Sequence, residues 1–233
     1  MSISIRSMTR SVSLQCALCA SGLACGCASA RDLRSDDPVK ADLAPVRIAA
    51  LNVTNGQVSP LDEFTGQVRA PSMRAVGEAT NPSTVALDFT YLGPSDASSK
   101  LASGEERSQF GLKVRAANTC NVLYVMWRAD ARGDAGELAV SVKSNPGATT
   151  HAECADRGYT RLRPLAKPDA LPRLKLGDKH RLVAQVDHNA LNVRVDGKTV
   201  WSGPLSQSAL QLTGPAGVRT DNVKLDFSLY VRA

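Results

Sequence analysis

Apolar and polar positions alternate with period two along most of the chain beyond residue 45, and this alternation predicts short strands with one buried face. Residues 46–53, 64–69, 85–92 and 110–115 are the first four candidates. Residues 120–128 are nearly all apolar, as a central strand covered on both faces requires. Residues 138–143 alternate again and stop at Asn145-Pro146-Gly147, a turn signal. Two further strands, 181–187 and 191–196, flank His188-Asn189-Ala190. Asp196-Gly197 then folds the chain back into 198–201, because glycine accepts the positive φ of a tight hairpin. Residues 223–231 alternate cleanly to the end. No stretch beyond residue 30 sustains a helical period over three turns. The expected fold is therefore all-β, a sandwich or barrel of ten to twelve strands, and the chain is long enough to close such a core without metals.

The first thirty residues have a different pattern. Arg6 and Arg10 precede a weakly apolar stretch, residues 12–28, and Ala28-Ser29-Ala30 supplies the small residues that signal peptidase cleavage needs. The reading is an export signal, 1–30, cleaved before Arg31. The stretch is too short and too poor in Leu, Ile and Phe for a membrane span. The rival is a lipid anchor on Cys25 or Cys27, since Leu23-Ala24-Cys25 and Ala24-Cys25-Gly26-Cys27 approach a lipobox. Residues 31–45, charged and broken by Pro38 and Pro45, read as a linker, leaving 46–233 as the β-sandwich domain.

Export changes the meaning of the cysteines. Cys16, Cys19, Cys25 and Cys27 fall in the signal, so Cys120 and Cys154 are an even pair in an oxidising compartment and are expected to bond. The bridge would close about 35 residues and contribute on the order of 3–4 kcal/mol. A metal or redox site is the weaker alternative, because the mature chain has no Cys-x-x-Cys and His151 alone completes no ligand set. No metal and no cofactor are expected.

Charge and composition add exclusions. The 233 residues carry 28 Lys+Arg and 22 Asp+Glu, a net +6 that becomes +4 without Arg6 and Arg10. No run of five or six like charges exists, which argues against nucleic acid as a partner. At 4% aromatic content, a surface paved with stacking platforms is not expected. Membrane contact is expected only through the lipid anchor, if that forms.

The C-terminal third carries a family resemblance. Residues 191–203 form a strand, an Asp-Gly turn and a return strand with Trp201, and Gly214-Pro215-Ala216-Gly217-Val218-Arg219-Thr220-Asp221-Asn222 leads into the last strand. The first resembles the penultimate hairpin of laminin-G-like, concanavalin A-like jelly rolls. The second is similar to the closing Gly-x-x-Gly-x-Arg-x-Asp-Asn pattern of bacterial domains in that superfamily, including those grouped with keto-disaccharide hydrolases. The resemblance extends over about 89–231 as a strand pattern and is specific from about His180 onward. It implies a jelly-roll β-sandwich. In the closing motif, Gly214 and Gly217 suit tight turns, and Asp221 or Asn222 can bond local amides at the start of the final strand.

Glycosidases of this fold set paired carboxylates on alternate positions of one strand, as in Glu-x-Asp-x-x-Glu, so that both face one side. That pattern is missing. Glu105 and Glu106 are adjacent and point apart if extended. Asp130, Asp134 and Glu137 lie in or beside a Gly-rich loop, read as a solvated hairpin tip rather than a calcium loop. No Gly-x-Ser-x-Gly, phosphate-binding loop or His-Glu-x-x-His occurs. The irregular segment 145–174, anchored by Cys154, gathers His151, Glu153, Arg157, Tyr159 and Arg161, a mixture that suits sugar hydroxyls or carboxylates and equally an ordinary covering loop. Trp127, inside an apolar run, reads as core; Trp201, beside a turn, is the better candidate for exposure. The candidate ligand-binding set is Arg128, His151, Glu153, Arg157, Tyr159, Trp201, Arg219 and Asp221, with no catalytic residue. The function expected is an exported, non-catalytic binding module for carbohydrate or envelope polymer. A glycoside-active enzyme using His151 or Glu153, or an envelope lipoprotein that binds a partner, are the alternatives.

Overall fold

The computed structural model describes residues 42–129, 136–166 and 169–233. The proposed signal, most of the linker, and Asp130 and Asp134 lie outside the described residues. In chain order the strands are β1 (Ala44–Pro45), β2 (Asn52–Asn55), β3 (Ser59–Pro60), β4 (Gly66–Val68), β5 (Ser72–Thr80), β6 (Thr84–Pro94), β7 (Gln109–Ala116), β8 (Val122–Arg128), β9 (Glu137–Lys143), β10 (Tyr159–Arg161), β11 (Lys179–Asp187), β12 (Ala190–Val195), β13 (Lys198–Pro204), β14 (Pro215–Asp221) and β15 (Val223–Arg232). Two four-residue helices interrupt them, α1 (His151–Cys154) and α2 (Gln207–Leu210).

The strands pair antiparallel in two sheets. One runs β13-β12-β11-β6-β15-β4-β3, with β1 added alongside β15; the other runs β10-β9-β8-β7-β14-β5-β2. The core lies between them, because the inward residues of both sheets are apolar. Phe89 from the first sheet meets Phe110 and Trp127 from the second edge to face, at 4.7 and 5.8 Å between ring centres. Phe227, Leu225, Leu229, Leu182 and Leu191 are fully buried around them.

Near its start the chain departs from the expected pattern at two segments, and further on β5, β10 and β14 are strands where none was expected. Residues 46–53 were expected as one strand, but Ile48–Ala50 is a single 3-10 turn and strand begins only at Asn52. The turn tucks Ile48 and Leu51 under the sandwich, three residues apart, which an extended chain would splay to opposite faces. Residues 64–69 keep strand only at Gly66–Val68, because the Asp62 carboxylate accepts the Phe64 and Thr65 amides and holds the start as a turn. The expected central strand is interior in its sheet, with six of its seven residues buried. The predicted hairpin forms as read: Val195 pairs with Lys198 across Asp196-Gly197, which both take positive φ. Cys120 and Cys154 are bonded, with Cα atoms 5.8 Å apart.

Candidate functional site

Register sets which side chains share the outer face of the seven-stranded sheet. Asp221 pairs with Ser72 on one side and Gln109 on the other, and Gln109 with Arg128. In the next outward row Arg219 stands between Arg74 and Gly111, followed by Met126 and Ala139. Lys113 lies one row on, between Gly217 and Tyr124, and Tyr159 on the edge strand pairs with Lys143. Glycine at 111 and 217 is a requirement of close strand approach: a Cβ there would sit about 2.1 and 2.0 Å from the carbonyls of Val125 and Ala75. Gly111 also leaves open the lane along which Arg219 reaches two strands across to Tyr124.

Asp221 is the anchor of this face. It is 2% exposed and accepts from Arg74 Nη2 at 2.6 Å, Arg219 Nε at 2.8 Å and Gln109 Nε2 at 2.7 Å. Burial alone would raise its pKa, but Arg219, Arg74 and the Gln109 amide outweigh burial and hold the carboxyl below the ordinary range. The same balance governs Arg219: burial opposes its charge, while Asp221 and the two tyrosines beside it favour the charge and win. Arg74 is shifted down, by burial first and then by Arg219.

Aromatic and cationic groups continue the face. The Arg219 guanidinium lies 5.1 Å over the Tyr124 ring, and Tyr159 beside it also favours its charge. Tyr124 stacks on Tyr159 at 6.2 Å and 24°. Lys143 Nζ sits 5.3 Å over the Tyr159 ring and donates to the Ala155 carbonyl at 2.6 Å and to Cys154 Sγ at 3.2 Å. Tyr159 is 45% exposed, so the stack has one open end. Lys113 is 6% exposed, has no carboxylate partner or hydrogen-bond acceptor among the described residues, and is pulled down to about 7 by burial, Arg74 and Arg219.

No protein-family model matches this chain, and no curated protein sequence matches it. Solved structures do. The carbohydrate binding module CBM66 from Bacillus subtilis aligns with a TM-score of 0.52 at 13% identity, covering 77% of this chain and 92% of that one. A putative glycosyl hydrolase from Parabacteroides distasonis aligns at 0.51 and 12%, covering 82% and 98%. The fold is a concanavalin A-like jelly roll.

Of the residues singled out in the sequence, this jelly roll brings Arg219, Asp221 and Tyr159 together. Arg128 ends a strand of the same sheet, but its Nη1 is bound to Glu137 at 2.5 Å, and Arg161 Nη2 holds the same carboxylate at 2.9 Å. Glu153 accepts from the Thr149 and Thr150 amides, both at 2.8 Å, and from Thr150 Oγ1 at 2.9 Å, so its carboxylate closes the start of α1. Those amides hold its pKa below the ordinary value. Arg157 donates back to the Glu153 carbonyl, and His151 is the exposed first residue of α1. Trp201 corrects the sequence reading. Expected at the surface, it is 3% exposed, because its pairing with Val193 directs the ring into the core. A Cβ on Gly203 would lie 2.9 Å from that ring, so the glycine beside the turn makes room for the indole. Gly217 is likewise a strand residue opposite β5 rather than a turn.

Arg74, Gln109, Lys113 and Tyr124 were not identified from the sequence. For 109–115 the signal was present, since the polar phase of the alternation is the outward face. Arg74 belongs to β5, whose Gly77 and Glu78 dilute the strand pattern.

The opposite sheet of the jelly roll has a shallow cavity of about 360 Å³, lined among others by Thr65, Asp88, His180, Arg181, Asp226 and Ser228. Most of its polar groups are paired within the sheet, while His180 Nε2 is buried without a hydrogen-bond partner. Arg181 holds both oxygens of Asp88, Gln67 donates to Asp226 at 2.7 Å, Thr65 bonds Ser228 at 3.2 Å, and His180 Nδ1 meets Asp196 at 2.7 Å.

Proposed function

We propose that this jelly roll is a non-catalytic carbohydrate-binding module and that its ligand lies on the outer face of the seven-stranded sheet. The observation that carries the reading is the Asp221-centred network of Arg74, Arg219 and Gln109 beside the Tyr124–Tyr159 stack. Fixed guanidinium and amide donors suit sugar hydroxyls, and a half-open tyrosine suits the apolar face of a pyranose ring. The likeness to a module described as carbohydrate binding supports the reading through shared fold. The charge state of Asp221 supports the absence of glycoside cleavage. A general acid needs a raised pKa and a second carboxylate across the bond, whereas Asp221 is held ionised by two arginines. We further propose export through residues 1–30 with cleavage before Arg31.

Glycan-array screening followed by titration of the hits tests the binding reading. Tyr159→Ala and Arg74→Gln should each weaken binding about tenfold, equivalent to about 1.4 kcal/mol, with an unchanged circular-dichroism spectrum. Absence of binding to every saccharide, or binding indifferent to both substitutions, refutes it. The mass of the mature N-terminus tests cleavage: a start at Arg31 supports it, and a diacylated Cys25 or Cys27 overturns it.

A further inference from the structure

On the candidate face two arginines share one carboxylate, and a lysine beside them has none. Arg74 and Arg219 both bind Asp221, and Lys113 has no anionic partner among the described residues although it is 6% exposed. The Lys113 stem is buried while its ammonium keeps access to solvent, so this part of the face carries positive charge that no carboxylate among the described residues balances. Other charges in the neighbourhood do not balance it, since Glu137 is taken by Arg128 and Arg161. We propose that the ligand of this face is an acidic glycan, whose sugar-borne carboxylate or sulfate seats against Lys113 and Arg74 while the ring packs toward Tyr159. The inference rests on the carbohydrate reading and adds the chemical class of the sugar.

The arrangement supports it in two ways. Arg74 and Lys113 flank Arg219 from β5 and β7, the two strands on either side of β14, so an anion placed there meets positive charge from three adjacent strands. The groups around Lys113 also make the site responsive to pH. They are Arg74 from β5, Arg219 and Asp221 from β14, Tyr124 from β8, and Arg115 on its own strand. Burial lowers Arg74 and, farther along the face, Lys143, and pushes the Tyr124 hydroxyl up, while Lys113 is the group brought near neutrality, to about 7. An arriving anion favours its protonated form, so binding takes up a proton.

Isothermal titration calorimetry on the mature protein distinguishes the outcomes. The probes are trigalacturonate, a sulfated galactotriose and neutral galactotriose, in physiological salt at about pH 6 and about pH 8.5. At least one acidic probe should bind about tenfold or more tightly than the neutral one. Its affinity should fall about tenfold or more at the higher pH, and the heat should vary with buffer ionisation in the sense of proton uptake. Lys113→Met should abolish the pH dependence, and Lys198→Met on the exposed hairpin should preserve it. Binding of the neutral probe as tightly as the acidic ones overturns this inference and leaves the carbohydrate reading standing. Failure of every saccharide overturns both. Acid-selective binding with no proton uptake removes Lys113 from the site, and that measurement on the unsubstituted protein decides even if Lys113→Met does not fold.

Discussion

Asp221→Asn removes one charge and almost no volume, which makes it the sharpest probe of the buried network. The carboxylate is 2% exposed and receives three donors, two of them guanidinium groups at 2.6 and 2.8 Å. With an amide in its place, Arg74 and Arg219 repel each other and Lys113 without an intervening anion. Breaking a buried ion pair from one side costs about 3–5 kcal/mol. For a domain of this size each kcal/mol lowers Tm by about 2–4 °C, so the loss should be about 6–20 °C. Thermal and urea unfolding followed by circular dichroism near neutral pH read it directly. Because the Asp221 pKa is depressed in the fold, its stabilisation is complete above the unfolded value of about 4 and disappears as pH falls through the folded value. The gap between parent and variant should therefore close in acid. Asp226→Asn on the opposite sheet, where the carboxylate is only partly buried and bonds neutral Gln67, is the matched control and should cost under about 1 kcal/mol. An Asp221→Asn protein within about 1 kcal/mol of the parent would show that the network contributes no net stability.

Three further outcomes follow from the same geometry. Lys113→Met should flatten the pH profile of stability: a folded pKa of about 7 below the unfolded value of about 10.4 means that parent stability rises from about pH 7 to 10, by up to about 4–5 kcal/mol, and the difference from the variant in urea unfolding isolates that slope. Trp201→Ala should behave as a core lesion, losing about 3–5 kcal/mol in denaturant titration, with saccharide affinity unchanged for the fraction still folded. Replacing both Cys120 and Cys154 by serine should lower stability by about 2–4 kcal/mol in non-reducing urea titrations, since the bridge closes a separation of 34 residues.

The sandwich was legible because alternation is a direct record of which face is buried, and β6, β9, β11, β12 and β15 keep it nearly unbroken, while the apolar run of β8 marks a strand buried on both faces. The disulfide was legible once the proposed signal set four of the six cysteines aside. The site was only partly so. Arg219 and Asp221 stood out through the closing motif, yet the strand they occupy reads as turns because Gly214, Pro215 and Gly217 crowd it. Those small residues answer to neighbouring backbone rather than to chain reversal: a Cβ on Gly217 would meet the Ala75 carbonyl. Trp201 misled for a related reason. A glycine beside an aromatic suggests a loop, and here it vacates space for the ring. Arg74 and Lys113 are 39 positions apart and converge only through β14, whose pairing with both β5 and β7 no local pattern encodes.

The bridge between Cys120 and Cys154 has a consequence beyond stability. It fastens the start of β8 to the end of α1, and the chain then runs five residues to Tyr159, while Lys143 ties the same turn to that ring. One wall of the proposed binding face is thus positioned by an oxidation event rather than by the sheet alone. On the proposed export and binding, a copy kept among reducing thiols would have its two layers and still present a misaligned tyrosine platform, so binding competence would follow oxidation.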